Sequence, residues 1–403
     1  MLRLRLLLAL LAALLLTSVA APSQAAKGSY TTDFQRWRAA DNAFADWTLA
    51  HATLVGGAPS LNLATAPAEG DPFPAGSYNG GNFYNGGSYL VGSATSPEVI
   101  PDSAFTEAIP SWNVTTPPGT WVETLLRARV GGRWTKWYNL GVWAADTGSV
   151  RRHSVRLQGD ADATVAVDTL VISAKKSTAD AYQAQVRLFG SSTAVPSLRA
   201  FSVATSSTPQ APARLAAGDP LRWNKEIDVP MCSQMVYSDG GEVWCSPTST
   251  SMVLAYWLGD ARPCEPRVRE AVADSFDWIY DGHGNWPFNT AYAASKGLEG
   301  YVKRLGSLAE TEAWMAAGVP VIVSYSWGKG DLAGAPIARS AGHLAVLVGF
   351  DAAGNPIIND PAAASDGAVR RTYDRAEFET LWLAGSGGTV YLIYPAGWAT
   401  PSL

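Results

Sequence analysis

The chain has 403 residues, more than one compact domain usually holds, so two domains are expected. Hydrophobic residues make up 47% and charged residues 16%, which excludes a disordered chain and a coiled coil. A net charge of −5 leaves no basic footprint for nucleic acid or an anionic membrane, and three cysteines are too few for a disulfide-stapled scaffold.

In chain order, residues 1–25 read as a secretory signal. Arg3 and Arg5 give a basic start, Leu6 to Leu16 is an unbroken apolar run, and Ser23-Gln24-Ala25 offers small residues for cleavage. Eleven apolar residues cannot span a bilayer core that needs about 20, and no other stretch is longer. Cleavage would remove two arginines and no acid, changing the net charge to −7, so a soluble extracellular product with no integral membrane segment is expected.

Residues 31–203 read as an all-β domain, a sandwich or jelly roll. Trp121 to Val130 is a strand, Gly131-Gly132 a hairpin turn, and Arg133 to Trp137 the returning strand. Tyr182 to Leu188 alternates as a strand with one solvated face. The Gly-, Asn-, Pro- and Tyr-rich stretch 67–97 reads as a long loop or a set of turns. Residues 204–220 are a Pro/Ala/Ser linker, which predicts that the second half, 221–403, folds by itself.

Beyond the linker the pattern is α+β. Pro247 to Leu258 carries apolar residues at helical spacing, and Ser307-x-x-Glu310 and Asp374-x-x-Glu377 are capping boxes. Val319 to Tyr325, His343 to Phe350, Pro356 to Ile358 and Thr389 to Tyr394 read as strands. Asp281 to Pro287 reads either as an aromatic loop near a cleft or, the favoured reading, as a tight turn with a packed Trp286.

Three residues converge on one chemistry. Cys245 directly precedes a helix start, where unpaired N–H groups and the helix dipole favour thiolate. His343 opens a strand, and Asp360 follows a turn and a short return strand, so pairing brings it back toward His343. A carboxylate there orients the ring nitrogen facing away from the thiol. Asn359 is the competing orienter, but adjacent strand residues face opposite ways, which favours Asp360. No His-Glu-x-x-His or Cys-x-x-Cys occurs, so neither a metal nor a cofactor is expected. The penicillin-binding pattern Ser-x-x-Lys occurs at both Ser173 and Ser326, without Lys-Thr-Gly.

On Val243 to Leu254, Gly318 to Val323, Gly342-His343 and Asp360-Pro361, the chain resembles the cysteine peptidase C39-like family, a papain-like fold, over about 227–394. The resemblance implies an α+β papain-like cysteine peptidase domain, which after the β-sandwich or jelly-roll-like domain read above makes a multidomain protein. It also implies Cys245 as nucleophile, His343 as base and acid, and Asp360 as orienter. The family has Cys-Gly-Pro where this chain has Cys245-Ser246-Pro247. Its oxyanion-hole Gln lies about six residues before the nucleophile, whereas here Gln234 lies eleven before; Gln234 is carried as the candidate. With Cys245 a free nucleophile in an oxidising space, Cys232 and Cys264 are expected to pair.

The expected partner is a peptide or protein substrate, cell-wall peptide included, acted on by a monomeric chain. The same residues also suit an amidase, an acyl transferase or a transglutaminase-like enzyme. A reading of another class has the second domain inactive and the β domain binding a surface glycan or polypeptide through Trp112, Trp121, Trp134, Trp137 and Trp143.

Overall fold

The structure, a computed structural model, describes residues 30–402 except 177 and 213. The expected signal, 1–25, lies outside the described residues. Among those described, no helix is long and apolar enough to cross a membrane.

The first half is strand-rich, with two seven-stranded sheets whose pairings are all antiparallel. At the centre of one, Glu107–Thr115 pairs with Ser197–Ser206; at the centre of the other, Trp121–Val130 pairs with Ala179–Gly190. The Gly131-Gly132 turn is as expected: both glycines have positive φ, 59° and 78°, as a two-residue hairpin turn requires. Two expectations need correction. Ser88–Thr95 is an eight-residue strand inside the stretch read as loop, its Tyr89, Val91 and Ala94 buried. Its Gly92 lies where a Cβ would meet the His51 carbonyl oxygen at 2.3 Å, a close backbone approach that only glycine allows. At the far end, Ala204 to Ser206 belong to a strand and pair with Glu107 to Ile109, so strand pairing continues into the stretch read as linker.

The second half mixes helices with a third seven-stranded sheet. Five helices stand out: α1 (Cys245–Leu258), α2 (Cys264–Ser275), α3 (Trp286–Ser295), α4 (Leu308–Ala316) and α5 (Arg375–Ser386). The sheet runs Leu298–Arg304, Thr389–Pro395, Val321–Trp327, Ser340–Phe350, Pro356–Asn359, Arg370–Thr372. The segment read as a turn with Trp286 in fact ends in the first turn of α3, because the Asn285 side chain caps the Phe288 N–H and Pro287 suits the first turn.

The two halves are not independent. One apolar core runs from Trp112, Trp143 and Phe201 of the first into Phe288, Ala291 and Val302 of the second. Phe288 packs edge-on against Trp112 and Trp143, with centroids 6.2 and 5.3 Å away. Gly141 makes room for it: a Cβ there would sit 3.0 Å from the Phe288 ring. Buried polar links follow the same seam. Asn113 Nδ2 donates to the Gly300 carbonyl at 2.6 Å, Arg304 pairs with Glu107 at 2.6 Å, and Ser154 N–H donates to Asp277 at 2.9 Å. Apolar and polar groups that satisfy each other across a seam leave both faces exposed when separated, which weighs against self-sufficient folding of 221–403. Trp112 and Trp143 thus serve this junction as well as the interior of the first half.

Candidate active site

Cys245 is the first residue of α1, and Trp244 before it makes no side-chain cap, so the opening N–H groups of the helix remain available. Pro247 sits in the first turn. Ser246, at the position where the family has glycine, is buried and bonds the Tyr391 hydroxyl at 2.9 Å, tying the helix start to the sheet. Cys245 is half-buried and free, while Cys232 and Cys264 are disulfide-bonded with Cα atoms 5.6 Å apart, the pairing expected from the sequence.

His343 lies in the strand Ser340–Phe350, 2% exposed, its ring packed edge-on against the stacked rings of Tyr325 and Trp327. Its Nε2 meets Asp360 Oδ1 at 2.8 Å, and the ring lies in one cleft with the Cys245 sulfur, each group shifting the other's protonation. Since Nε2 is engaged by the carboxylate, Nδ1 is the nitrogen left for the sulfur. Asp360 is fully buried and its four contacts are saturated: Oδ1 also accepts from Ala362 N–H at 3.0 Å, and Oδ2 accepts from the hydroxyls of Tyr325 at 3.0 Å and Tyr373 at 2.7 Å. Asn359 points elsewhere, accepting from Arg370 and donating to the Val229 carbonyl at 3.2 Å.

These contacts set the charges. Burial raises the Asp360 carboxyl, but the His343 ring and the Tyr373 and Ala362 donors outweigh it and hold it at about 2. Burial lowers His343, but the Asp360 charge and hydrogen bond, joined by Cys245, push it up to about 10. Burial likewise raises the Cys245 thiol, and the bond and charge of His343 with the N–H groups of Leu344 and Ser246 bring it below its ordinary value. The shifts of Cys245 and His343 belong to the pair, and both point to thiolate with imidazolium.

Gln234 shares a cleft of about 1050 Å³ with Cys245 and His343. The insertion from Tyr237 to Gly241 folds into a compact turn, with Gly241 N–H donating to the Tyr237 carbonyl at 3.0 Å, so the longer spacing is absorbed locally. Gln234 Nε2 donates to the Gly241 carbonyl at 2.8 Å, and its Oε1 has no partner among the described residues. The sequence reading missed Tyr325 and Tyr373, whose hydroxyls carry no spacing signal, and the wall from the first half: Ala166 to Thr169 lines this cleft too. Among the described residues, no three His, Cys, Asp or Glu side chains group to hold a metal ion.

Comparison with known proteins agrees with this picture of two parts. Residues 33–206 match the peptidase C39 N-terminal domain and residues 226–390 match the Peptidase_C39 like family. Among solved structures, the chain is similar to one assigned as a C39-like peptidase from Bacillus anthracis, at 18% identity and TM-score 0.29, covering 42% of this chain and 98% of that one. It is also similar to the catalytic unit of a GH87 alpha-1,3-glucanase from Streptomyces thermodiastaticus, at 10% identity and TM-score 0.17, covering 51% and 31%. Both scores are too low to carry an argument about fold. No curated protein matches the sequence. With both matched regions drawn from one family, and together covering most of the chain, this protein belongs to the peptidase C39 family.

Proposed function

We propose that the chain is a secreted cysteine hydrolase that cuts peptide or amide bonds through Cys245, His343 and Asp360. The observation that supports it is the placement of Cys245 and His343 in one cleft, with the His343 ring hydrogen-bonded to the buried Asp360 carboxylate. The thiolate attacks the carbonyl carbon, and the displaced electron pair forms an oxyanion. The backbone N–H of Cys245 faces that oxygen, joined by the second Nε2 hydrogen of Gln234. His343 gives its proton to the leaving amine as the thioester forms, then takes a proton from the water that releases the acid. In this reading the second half is papain-like and the two sheets of the first half are a sandwich of the jelly-roll type. The domains are 31–203 and 221–403, the substrate a peptide or protein such as cell-wall peptide, and the chain a monomer. The Cys232–Cys264 disulfide supports an oxidising compartment.

The alternative, ligand binding through the tryptophans of the first half, has less support: Trp112, Trp121 and Trp143 are buried, and Trp134 and Trp137 flank the Arg127 guanidinium. The test is cleavage of a peptide library by purified protein. Cys245→Ser should abolish turnover and Asp360→Ala should weaken it less; equal cleavage by wild type and Cys245→Ser rejects the proposal.

A further inference from the structure

We propose that Asp168, which the first half of the chain carries into the cleft, receives an alkylammonium group of the bound peptide and so selects a cationic residue beside the bond to be cut. This rests on the hydrolase reading above and adds the substrate class to it.

Asp168 follows a tight reversal between the strands Ala163–Ala166 and Thr169–Ile172. Its N–H donates back to the Ala166 carbonyl at 2.7 Å, and Val167 between them has φ of 60°. A β-branched residue in the left-handed region is strained, and such strain concentrates where a side chain has to be aimed. The turn lines the same cleft as Cys245 and His343.

Only 5% of Asp168 is exposed, yet it makes no ion pair among the described residues. Its carboxylate accepts two hydrogen bonds, from Trp286 N–H at 2.7 Å and from the Thr169 hydroxyl at 3.0 Å, of about four that a carboxylate accepts. Burial outweighs those bonds and raises its carboxyl to about 7, as expected of a carboxylate without a counter-ion. The cations in the cleft are committed. Arg304 is held by Glu107 and Thr389, and His343 by Asp360. Burial lowers His283 to about 4, so it is neutral. Glu242 and Asp281 at the mouth are exposed and make no ion pair among the described residues. Gln234, 2% exposed, adds a second acceptor without a partner, its Oε1. The missing positive charge therefore has to arrive with the ligand. Asp168 and Cys245 line the same cleft, so a peptide bound at the sulfur runs within the space that the carboxylate borders.

A purely structural role is available, since the Trp286 N–H belongs to the first turn of α3 and any acceptor satisfies it. Charge separates the two roles. Asp168→Asn keeps an acceptor oxygen for Trp286 and removes the negative charge.

The probes are peptidyl chloromethyl ketones, with alkylation of Cys245 followed by mass in the full-length protein. One arm compares acetyl-Ala-Lys with acetyl-Ala-norleucine; the other compares Ala-norleucine bearing a free α-amine with its acetylated form. A charge-assisted contact predicts about tenfold faster labelling by the cationic member. The arm that shows the preference tells a lysine-type side chain from a free amino terminus. In Asp168→Asn the preference should fall to near unity. A wild-type ratio near unity in both arms, with rapid alkylation by iodoacetamide, overturns the inference and leaves the hydrolase reading standing. So does a preference that persists in Asp168→Asn. A Cys245 inert even to iodoacetamide removes both. Should Asp168→Asn not fold, the wild-type ratio alone decides.

Discussion

Phe288→Ala probes the junction between the halves at its centre. Phe288 is fully buried on α3, yet its ring neighbours Trp112, Trp143 and Gly141 all belong to the first half. Deleting a buried phenyl ring costs about 3–5 kcal/mol, more when the walls cannot collapse. Here the walls are two tryptophans and a glycine with φ of 145°, beside a register shift between Asn139 and Gly141. Those groups are fixed by a sheet, so the upper part of that range is expected, about 4–5 kcal/mol. The assay is urea denaturation followed by far-UV circular dichroism and by tryptophan fluorescence. If the halves share one core, both probes report a single transition, and the variant lowers its midpoint without changing the slope. Were the halves separate, Phe288 would be an exposed surface residue of its domain, and the change would cost under about 0.5 kcal/mol. Two resolved transitions in the wild type, or a loss that small in the variant, would refute the shared core.

The same reasoning predicts that residues 221–403 expressed alone are insoluble or poorly packed; a soluble fragment with native-like near-UV circular dichroism would count against it. Cys232→Ser with Cys264→Ser reopens a loop with a sequence separation of 32 and should lower stability by about 4 kcal/mol on the chain-entropy estimate, read as a drop in urea midpoint; no change would reject a stabilising role. Asp360→Asn tests the coupled charges through pH. Asp360, held at about 2, contributes stability that is full above about pH 4 and is lost as the pH falls through 2, whereas His343, raised to about 10, contributes stability that is full below about pH 6.5 and is lost as the pH rises through 10. The wild-type advantage in melting temperature should thus peak between about pH 4 and 6.5, and a difference constant with pH would contradict the pairing. Tyr373→Phe removes one of the two hydroxyls on Asp360 Oδ2 and should slow Cys245 alkylation less than Asp360→Ala does; an effect as large would give the hydroxyl a role beyond positioning.

Much of the site was legible in the sequence because its signals are local. A cysteine before Ser-Pro and a helical run marks a helix start, and a histidine at a strand end followed by a turn and short strand forecasts where Asp360 returns. The choice of Asp360 over Asn359 followed from alternation alone, and the two side chains do face different partners. What the sequence concealed depends on distant contact. Ser88–Thr95 reads as loop because it sits in a stretch rich in Gly, Asn, Pro and Tyr, while its Gly92 answers to the His51 carbonyl, a neighbour no window reveals. Helix α2 carries a weak sequence signal because charged residues surround its apolar pair Val268 and Ala271, although the pair has helical spacing. The independence of the halves was inferred from a Pro/Ala/Ser stretch, which reports how the chain crosses between them and nothing about the faces that meet. Asp168 is invisible for the same reason: it comes from one half and serves a cleft built on the other.

The central claim is that Cys245 is a thiolate paired with His343, and the rate of its alkylation by iodoacetamide against pH tests this most directly. Cys245 is the free cysteine of the described chain, so the mass increment reads one site. The account predicts a rate that stays high well below the ordinary thiol pKa of about 8.5, and a return toward that value in His343→Ala. A wild-type midpoint at or above about 8.5, unmoved by His343→Ala, would contradict it.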